Sequence, residues 1–272
     1  MRNLLECWGK IKAALADREI RLFFDFDGTL APIRKHPDRA ALSAARRRLL
    51  ERLASLEDVT VAIVTGRSMR DIRHLVRIRN AVYIGNHGFE LKRPGSALFR
   101  MGNARMEKTM KTLAGVLKRA FAREKGVLVD DKGITLAVHF RMVRPAAEKT
   151  VEKIFRKTVS PYVSRAQVTV TRGKKVWEIR PPVRWNKGMM VLKEIRVREA
   201  ASGLKRKAAI FYIGDDKTDE DAFRLLLRHP GAYTVKVGKT KTEKTAARYG
   251  MRNTGEVERF LRELYALKKE RV

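Results

Sequence analysis

Five short apolar runs punctuate the chain, and each gives way to a stretch with helical spacing. They are IRLFFDF (20–26), VTVAIVT (59–65), AVYIG (81–85), AIFYIGD (209–215) and AYTVKVG (232–238). Runs this short, rich in β-branched and aromatic side chains, have the character of strands buried on both faces. Between and after them lie 40–56, a short segment opening at Ser68, and segments starting at Lys187, Asp219 and Val257, where apolar residues recur at helical period. Alternation of this kind predicts an α/β fold, a doubly wound, Rossmann-like parallel sheet.

The stretch 104–180 has another grammar. A helix over 104–123 is followed by VLVDDKGITLAVHFR, two strands around Lys132-Gly133. Pro145 opens a second helix to about Val159, and VTVTRGKKVWEIRPP reads as a hairpin turning at Gly173. Helix, hairpin, helix, hairpin predicts an α+β domain on an antiparallel sheet. It is inserted at 104–180 into a core made of 1–103 and 181–272.

Composition removes several classes. No run of about 18 apolar residues suggests a membrane span. The first 20 residues read as an amphipathic helix rather than a secretory signal, so a cytoplasmic protein without membrane contact is expected; a monomer is expected too, although nothing in the sequence fixes the oligomeric state. One cysteine, Cys7, excludes an intramolecular disulfide and a cysteine-based zinc cluster, and is expected to be a partly buried bystander. The 272 residues carry 61 Lys+Arg against 30 Asp+Glu, net +31. The excess is spread along the chain, with 19 basic and 7 acidic residues between 104 and 180. Its plain reading is a solvated surface. The other is a field that draws in anionic substrates or touches nucleic acid nonspecifically.

Against that charge, acids gather at strand ends. Asp25 and Asp27 close the first run with one residue between them, so they can face one side while Phe26 turns into the core. Gly28 permits a sharp turn, with Thr29 next. In open α/β sheets, ligands bind beyond the carboxyl ends of the strands. Thr65, then Gly85-Asn86-His87-Gly88, then Asp215-Asp216 fall at such ends, and Lys187 begins a helix. Asp219 and Asp221 open the next helix, where acids favour the dipole and Thr218 offers a capping-box-like start. Two carboxylate clusters at one edge repel unless a cation lies between them, and a few oxygen ligands with room for water and phosphate describe a Mg²⁺ site.

These residues resemble the four motifs of the haloacid dehalogenase superfamily of phosphohydrolases. Asp25-Phe26-Asp27-Gly28-Thr29 matches the first, Thr65 the second, Lys187 the third, and Gly214-Asp215-Asp216 with Asp219 the fourth. The resemblance implies that Asp25 is a nucleophile forming an aspartyl-phosphate and that Asp27 protonates the leaving alcohol, then activates water. It implies Mg²⁺ among Asp25, Asp27 through its backbone carbonyl, and the Asp215-Asp216 pair. Thr65 and the loop at Gly28 and Thr29 are then expected at the phosphate, and Arg67 among the substrate-binding residues.

TGRS at Thr65, GNHGFE at Gly85, DDKGITLAVHFR at Asp130 and VWEIRPPVRWNKG at Val176 look like the trehalose-6-phosphate phosphatase family. The resemblance covers the chain beyond its first 20 residues. It implies an insert that acts as a substrate-selecting cap and closes over a sugar phosphate, with Lys132, Glu178 and Asp130 binding sugar hydroxyls. Asp130 stands where the family often has Glu. His87 and Gly88 either touch the sugar or shape their loop; His139 and Arg141 share a strand face. Functional pairing with a trehalose-6-phosphate synthase also follows from the resemblance. Rival readings are sucrose-phosphate or mannosyl-/glucosyl-3-phosphoglycerate phosphatases, and a basic nucleic-acid-binding protein on the same scaffold. VGKT at Val237 is no P-loop, because the required first glycine is Tyr233.

Overall fold

The computed structural model describes residues 1–15, 18–33, 40–201, 208–238 and 244–270. The chain divides into two compact units, Met1–Phe99 with Trp185–Val272, and Arg100–Arg184.

The first unit begins with β1 (Arg2–Asn3), α1 (Trp8–Ala14), β2 (Ile20–Asp25), α2 (Ala44–Ala54), β3 (Val59–Val64), α3 (Met69–Val76), β4 (Val82–Gly85), β5 (Glu90–Lys92) and β6 (Phe99–Arg100). The second unit holds α4 (Ala104–Ala120), β7 (Leu128–Asp131), β8 (Leu136–His139), α5 (Glu148–Ser164), β9 (Thr169–Gly173) and β10 (Val176–Arg180). The chain then returns with α6 (Lys187–Ala201), β11 (Ala209–Gly214), α7 (Asp219–Leu226), β12 (Ala232–Val237), β13 (Tyr249–Met251) and α8 (Thr254–Lys269).

The large sheet has the order β1-β13-β12-β11-β2-β3-β4-β5-β6, parallel from β1 to β4, with β5 antiparallel to β4. Strand alternation divides its core in two. Leu22, Phe24, Val61, Ile63, Phe211 and Ile213 face α1, α2, α3 and α8. Phe23, Ala62, Val64, Ile210 and Tyr212 face α6 and α7. Helices on both faces of a largely parallel sheet make the doubly wound α/β core expected from the sequence, and β2 is buried along its whole length. Helices α6 and α7 pack so closely that a Cβ on Gly188 would lie 2.8 Å from the Ala222 backbone.

The second unit has an antiparallel sheet, β7-β8-β10-β9, with α4 and α5 packed on one face. Trp177 is stacked between Phe140 and Phe155, with ring centroids 4.0 and 4.2 Å away.

Four differences from the sequence reading have local causes. Pro145 opens a 3₁₀ turn rather than the helix; α5 begins at Glu148 and runs past Val159 through Pro161. A proline this near a helix end forfeits one hydrogen bond, to the Lys157 carbonyl, and Ser160 Oγ donates to that carbonyl at 3.5 Å. The hairpin turns at Lys174-Lys175, with Lys175 at φ 63°, one step beyond Gly173. Helix α8 starts at Thr254, because Asn253 caps it by accepting from Gly255 and Glu256 N–H. Strands β1, β5, β6 and β13 carry no two-residue period long enough to read in the sequence.

Among the described residues no helix is long and apolar enough to cross a membrane.

Candidate active site

The carboxyl ends of β2, β3, β4 and β11, with the first turns of α6 and α7, form the site. Strand β2 delivers Asp25, which is buried, and the next residue, Phe26, turns wholly into the core. The loop folds back at once: Leu30 and Ala31 N–H both donate to the Phe26 carbonyl, and Gly28 N–H donates to Ala31. Gly28 sits at φ 89°, and a Cβ there would fall 2.0 Å from Asp215 Oδ2. Both its conformation and the approach of Asp215 require glycine.

Asp25 and Asp27 part company in the structure. Lys187 donates to Asp25 Oδ1 at 2.6 Å and to Asp219 Oδ1 at 3.1 Å. Asp27 instead takes a bidentate pair from Arg67, at 2.7 Å from Nε and 2.6 Å from Nη2. The Arg67 guanidinium also lies over the Phe26 ring. Such a fork fixes the plane of the carboxylate as well as its place.

Strand β11 ends in the second acidic group. Thr29 Oγ1 donates to Asp215 Oδ1 at 3.3 Å, tying the two loops together. Asp216 turns back to cap α7: its Oδ1 accepts from Thr218 N–H at 2.7 Å, from Thr218 Oγ1 at 2.7 Å and from Asp219 N–H at 3.1 Å. Thr218 therefore does not cap the helix with its own side chain. Asp219 is no surface acid on the helix dipole either. It is fully buried and accepts from Lys187, from Tyr212 OH at 2.8 Å, and from Asp215 and Asp216 N–H, both at 3.1 Å. Asp221 does stay near the surface, within reach of Arg224 and Asn186.

Carboxylate oxygens of Asp25, Asp215 and Asp219 lie within 4.8 Å of one another. Their electrostatics call for a cation. Burial pushes Asp25 well above the usual carboxylate range despite Lys187, and burial with the charges of Asp219 and Asp216 lifts Asp215 to about 7. Burial also raises Asp219, against the pull of Lys187. Burial opposes the charge on Lys187, but Asp219 and Asp25 outweigh it and hold the ammonium well above its ordinary value. For Asp216 burial acts upward, yet Lys187 and the Thr218 hydrogen bonds win and keep it low. Hard oxygens at this spacing suit a divalent ion such as Mg²⁺. Asp25 and Asp215 are the donors best placed to serve it, since four protein donors already engage Asp219.

The remaining strand ends brace this centre. Thr65 is buried at the end of β3; its Oγ1 accepts from Arg67 N–H at 3.2 Å and its carbonyl accepts from His87 N–H at 3.0 Å. Asn86 and His87 sit at φ 53° and 54°, followed by Gly88 at 92°. The His87 ring packs against Gly66, where a Cβ would come within 2.4 Å of it. The Gly88 carbonyl accepts from Trp185 Nε1 at 2.8 Å, and Asn186 Oδ1 caps α6 just ahead of Lys187. Three left-handed residues in a row are costly away from glycine, and such strain collects at functional sites.

In the second unit, register puts Asp130 and Glu178 on either side of Ala137 in one row across β7, β8 and β10. Trp177 and Val138 point to the helices, so Asp130, Ala137 and Glu178 line the opposite face. Lys132 Nζ and His139 Nε2 lie 3.8 and 3.9 Å from Asp130 Oδ2, and Arg180 pairs with Glu178. Arg141 follows β8 and is exposed.

Sequence reasoning missed Tyr212, which reads as one more core aromatic in AIFYIGD. It also missed Trp185 and the buried Glu90, which accepts from Met69 N–H at 3.0 Å at the start of α3. A hydroxyl tip in an otherwise apolar strand was the only available signal for Tyr212.

Comparison with known proteins gives a consistent picture. The family described as trehalose-phosphatase matches residues 23–254. A probable trehalose-phosphate phosphatase 3 of Oryza sativa subsp. japonica is 32% identical over 98% of this chain and 75% of its own. Trehalose 6-phosphate phosphatase RA3 of Zea mays is 31% identical, covering 93% of this chain and 71% of its own. The C-terminal domain of trehalose-6-phosphate phosphatase from C. albicans superposes with a TM-score of 0.75 at 24% identity, over 95% of this chain and 96% of that one.

Proposed function

Because the chain belongs to the trehalose-phosphatase family of phosphoric monoester hydrolases, we propose that it hydrolyses trehalose 6-phosphate through an aspartyl-phosphate on Asp25. The observation that carries this reading is the buried Asp25–Lys187–Asp219 chain at the mouth of β2, with Asp215 alongside.

The chemistry follows from the residues. An Asp25 oxygen attacks phosphorus and the bond to the sugar oxygen breaks, while Asp27 gives its proton to the departing alkoxide. Asp27 then takes a proton from water, the water oxygen bonds to phosphorus, and the bond to Asp25 breaks to release phosphate. Splitting the hydrolysis lowers each barrier, and general acid help typically contributes ~10²–10⁴-fold. Arg67, which contacts both Asp27 oxygens here, orients that carboxylate, and one of the two contacts has to open for the freed oxygen to carry the proton. Lys187 offsets the charge of the nucleophile and the ester, and Thr65 with the backbone N–H groups after Asp25 binds phosphoryl oxygens. Asp25, Asp215 and the Asp27 carbonyl would hold Mg²⁺, which when bound supplies the further positive charge a dianionic ester needs beside carboxylates. Asp130, Lys132 and Glu178 are assigned to the sugar hydroxyls, since Asp130 and Glu178 share one sheet face, Lys132 Nζ lies 3.8 Å from Asp130 Oδ2, and together they offer both donors and acceptors.

The test is phosphate release from a panel of trehalose 6-phosphate, sucrose 6-phosphate and mannosyl-3-phosphoglycerate, with Mg²⁺ and with a chelator. Trehalose 6-phosphate is expected to give the highest kcat/KM, and the chelator to abolish turnover. Equal rates across the panel count against the substrate, and undiminished turnover in chelator counts against the metal.

A second prediction concerns pH. Asp215 is lifted to about 7 in the metal-free fold, whereas an unfolded aspartate ionises near 3.8. Between those values the folded protein holds a proton that the unfolded chain has lost, so metal-free stability falls as pH rises through that window. Mg²⁺ competes with the proton. The rise in Tm on adding Mg²⁺ is therefore expected to be larger at about pH 8 than at about pH 5.5. Thermal melts check this, and an equal rise at both pH values counts against Asp215 as a donor to the metal.

A further inference from the structure

Lys236 is an odd residue for its place. It sits within β12 between Val235 and Val237, directly beside Gly214 in the parallel register with β11. Val235 and Val237 face α8, so Lys236 points to the other face, toward α7. It is 6% exposed, and Glu220, in the first turn of α7, is equally buried. A desolvated ammonium at a strand position suited to valine needs strong compensation.

The compensation leads to the acidic loop. Lys236 Nζ donates to the Asp216 carbonyl at 3.2 Å and lies 3.7 Å from Glu220 Oε1. Glu220 in turn accepts from Thr245 Oγ1 at 2.7 Å and from Ala246 N–H at 2.9 Å. The loop that carries Asp215 is thus gripped twice. Lys187 reaches it through the Asp219 carboxylate from α6, and Lys236 reaches it through the backbone of Asp216 from β12. A buried ion pair seldom adds net stability over apolar side chains of the same size. What this one does add is a fixed place for the backbone next to Asp215.

We propose that Lys236 and Glu220 are positioning residues that hold the 215–219 loop in the conformation that receives the divalent cation; this rests on Asp215 as a donor to that cation. Outer partners of this kind typically change metal affinity by ~10–100-fold when removed. Their removal does not touch the reacting atoms. The expected signature is therefore weaker Mg²⁺ binding, with turnover largely regained at saturating Mg²⁺.

The experiment uses the full chain and Mg²⁺ as the probe, read by isothermal titration calorimetry without substrate and by the Mg²⁺ dependence of phosphate release. Lys236→Met with Glu220→Gln removes both charges together, so neither is left buried alone. It is expected to weaken Mg²⁺ binding by about tenfold or more. Lys236→Arg, which keeps a donor and a charge, is expected to bind Mg²⁺ nearly as the parent does. Lys236→Gln with Glu220→Gln, which also leaves neither charge buried alone but keeps a polar side chain at 236, is the variant to measure if the first does not fold, with a loss between the two. Unchanged Mg²⁺ affinity in the charge-removed variants overturns the proposal, as does a loss of turnover that saturating Mg²⁺ leaves unrepaired. Asp215→Asn is the control: if it too leaves Mg²⁺ binding unchanged, the metal assignment fails and the proposal with it.

Discussion

Asp25→Asn is expected to lower turnover of trehalose 6-phosphate by at least about 10⁴-fold while the protein stays folded. The amide cannot form the acyl-phosphate, yet it has the shape of the carboxylate and its Oδ1 can still accept from Lys187, which now contacts Asp25 at 2.6 Å. Stability should not fall with activity. Burial raises Asp25 well above the ordinary carboxylate range, so its charged form costs the fold free energy near neutral pH. A group with a raised folded pKa loses stability as pH rises above its unfolded value, and a neutral amide removes that dependence. The metal-free variant should therefore melt at or above the parent temperature at about pH 8. Phosphate release and a thermal melt on one preparation decide it. Turnover near the parent level would exclude Asp25 as nucleophile, and collapse of the fold would show that the charge itself is structural.

The parts of this protein legible in the sequence are those with a long enough period. Strands β2, β3 and β11 lie inside a parallel sheet with helices on both faces, so they read as near-continuous apolar runs whose ends stand out. The acids and Thr65 at those ends were visible for that reason. Strand β13 is three residues with a glycine in the middle, and β5 is Glu90–Lys92; neither carries a pattern. Long-range partners were harder still. Arg67 lies 40 positions from Asp27, and nothing in TGRS says that the arginine turns to that carboxylate. Asp219 had a place both at a helix N-terminus and in the fourth motif, but neither names its partners. Only the fold shows Lys187 and Tyr212 converging on it.

Lys187→Met carries the largest expected effect on stability. The ammonium is 3% exposed and pairs with both Asp25 and Asp219, while Asp216 adds to the attraction that keeps it charged. Methionine matches its length without the charge, and leaves two buried carboxylates facing each other without a cation. Breaking a buried ion pair from one side costs about 3–5 kcal/mol. For a chain of this size that corresponds to a Tm lower by roughly 6–20 °C. The penalty should depend on pH in a definite direction. Without Lys187 the folded carboxylates are raised further above the unfolded value, near 3.8 for aspartate, so the variant loses stability as pH rises and regains part of it on acidification. Mg²⁺ should restore part of the loss at neutral pH, because it puts positive charge back beside Asp25. Turnover should stay low even then, because the ammonium also offsets the charge of the incoming ester. Thermal melts across pH, with and without Mg²⁺, measure each step. A deficit that does not change between about pH 5 and about pH 8 would mean that lost packing, rather than exposed charge, explains it.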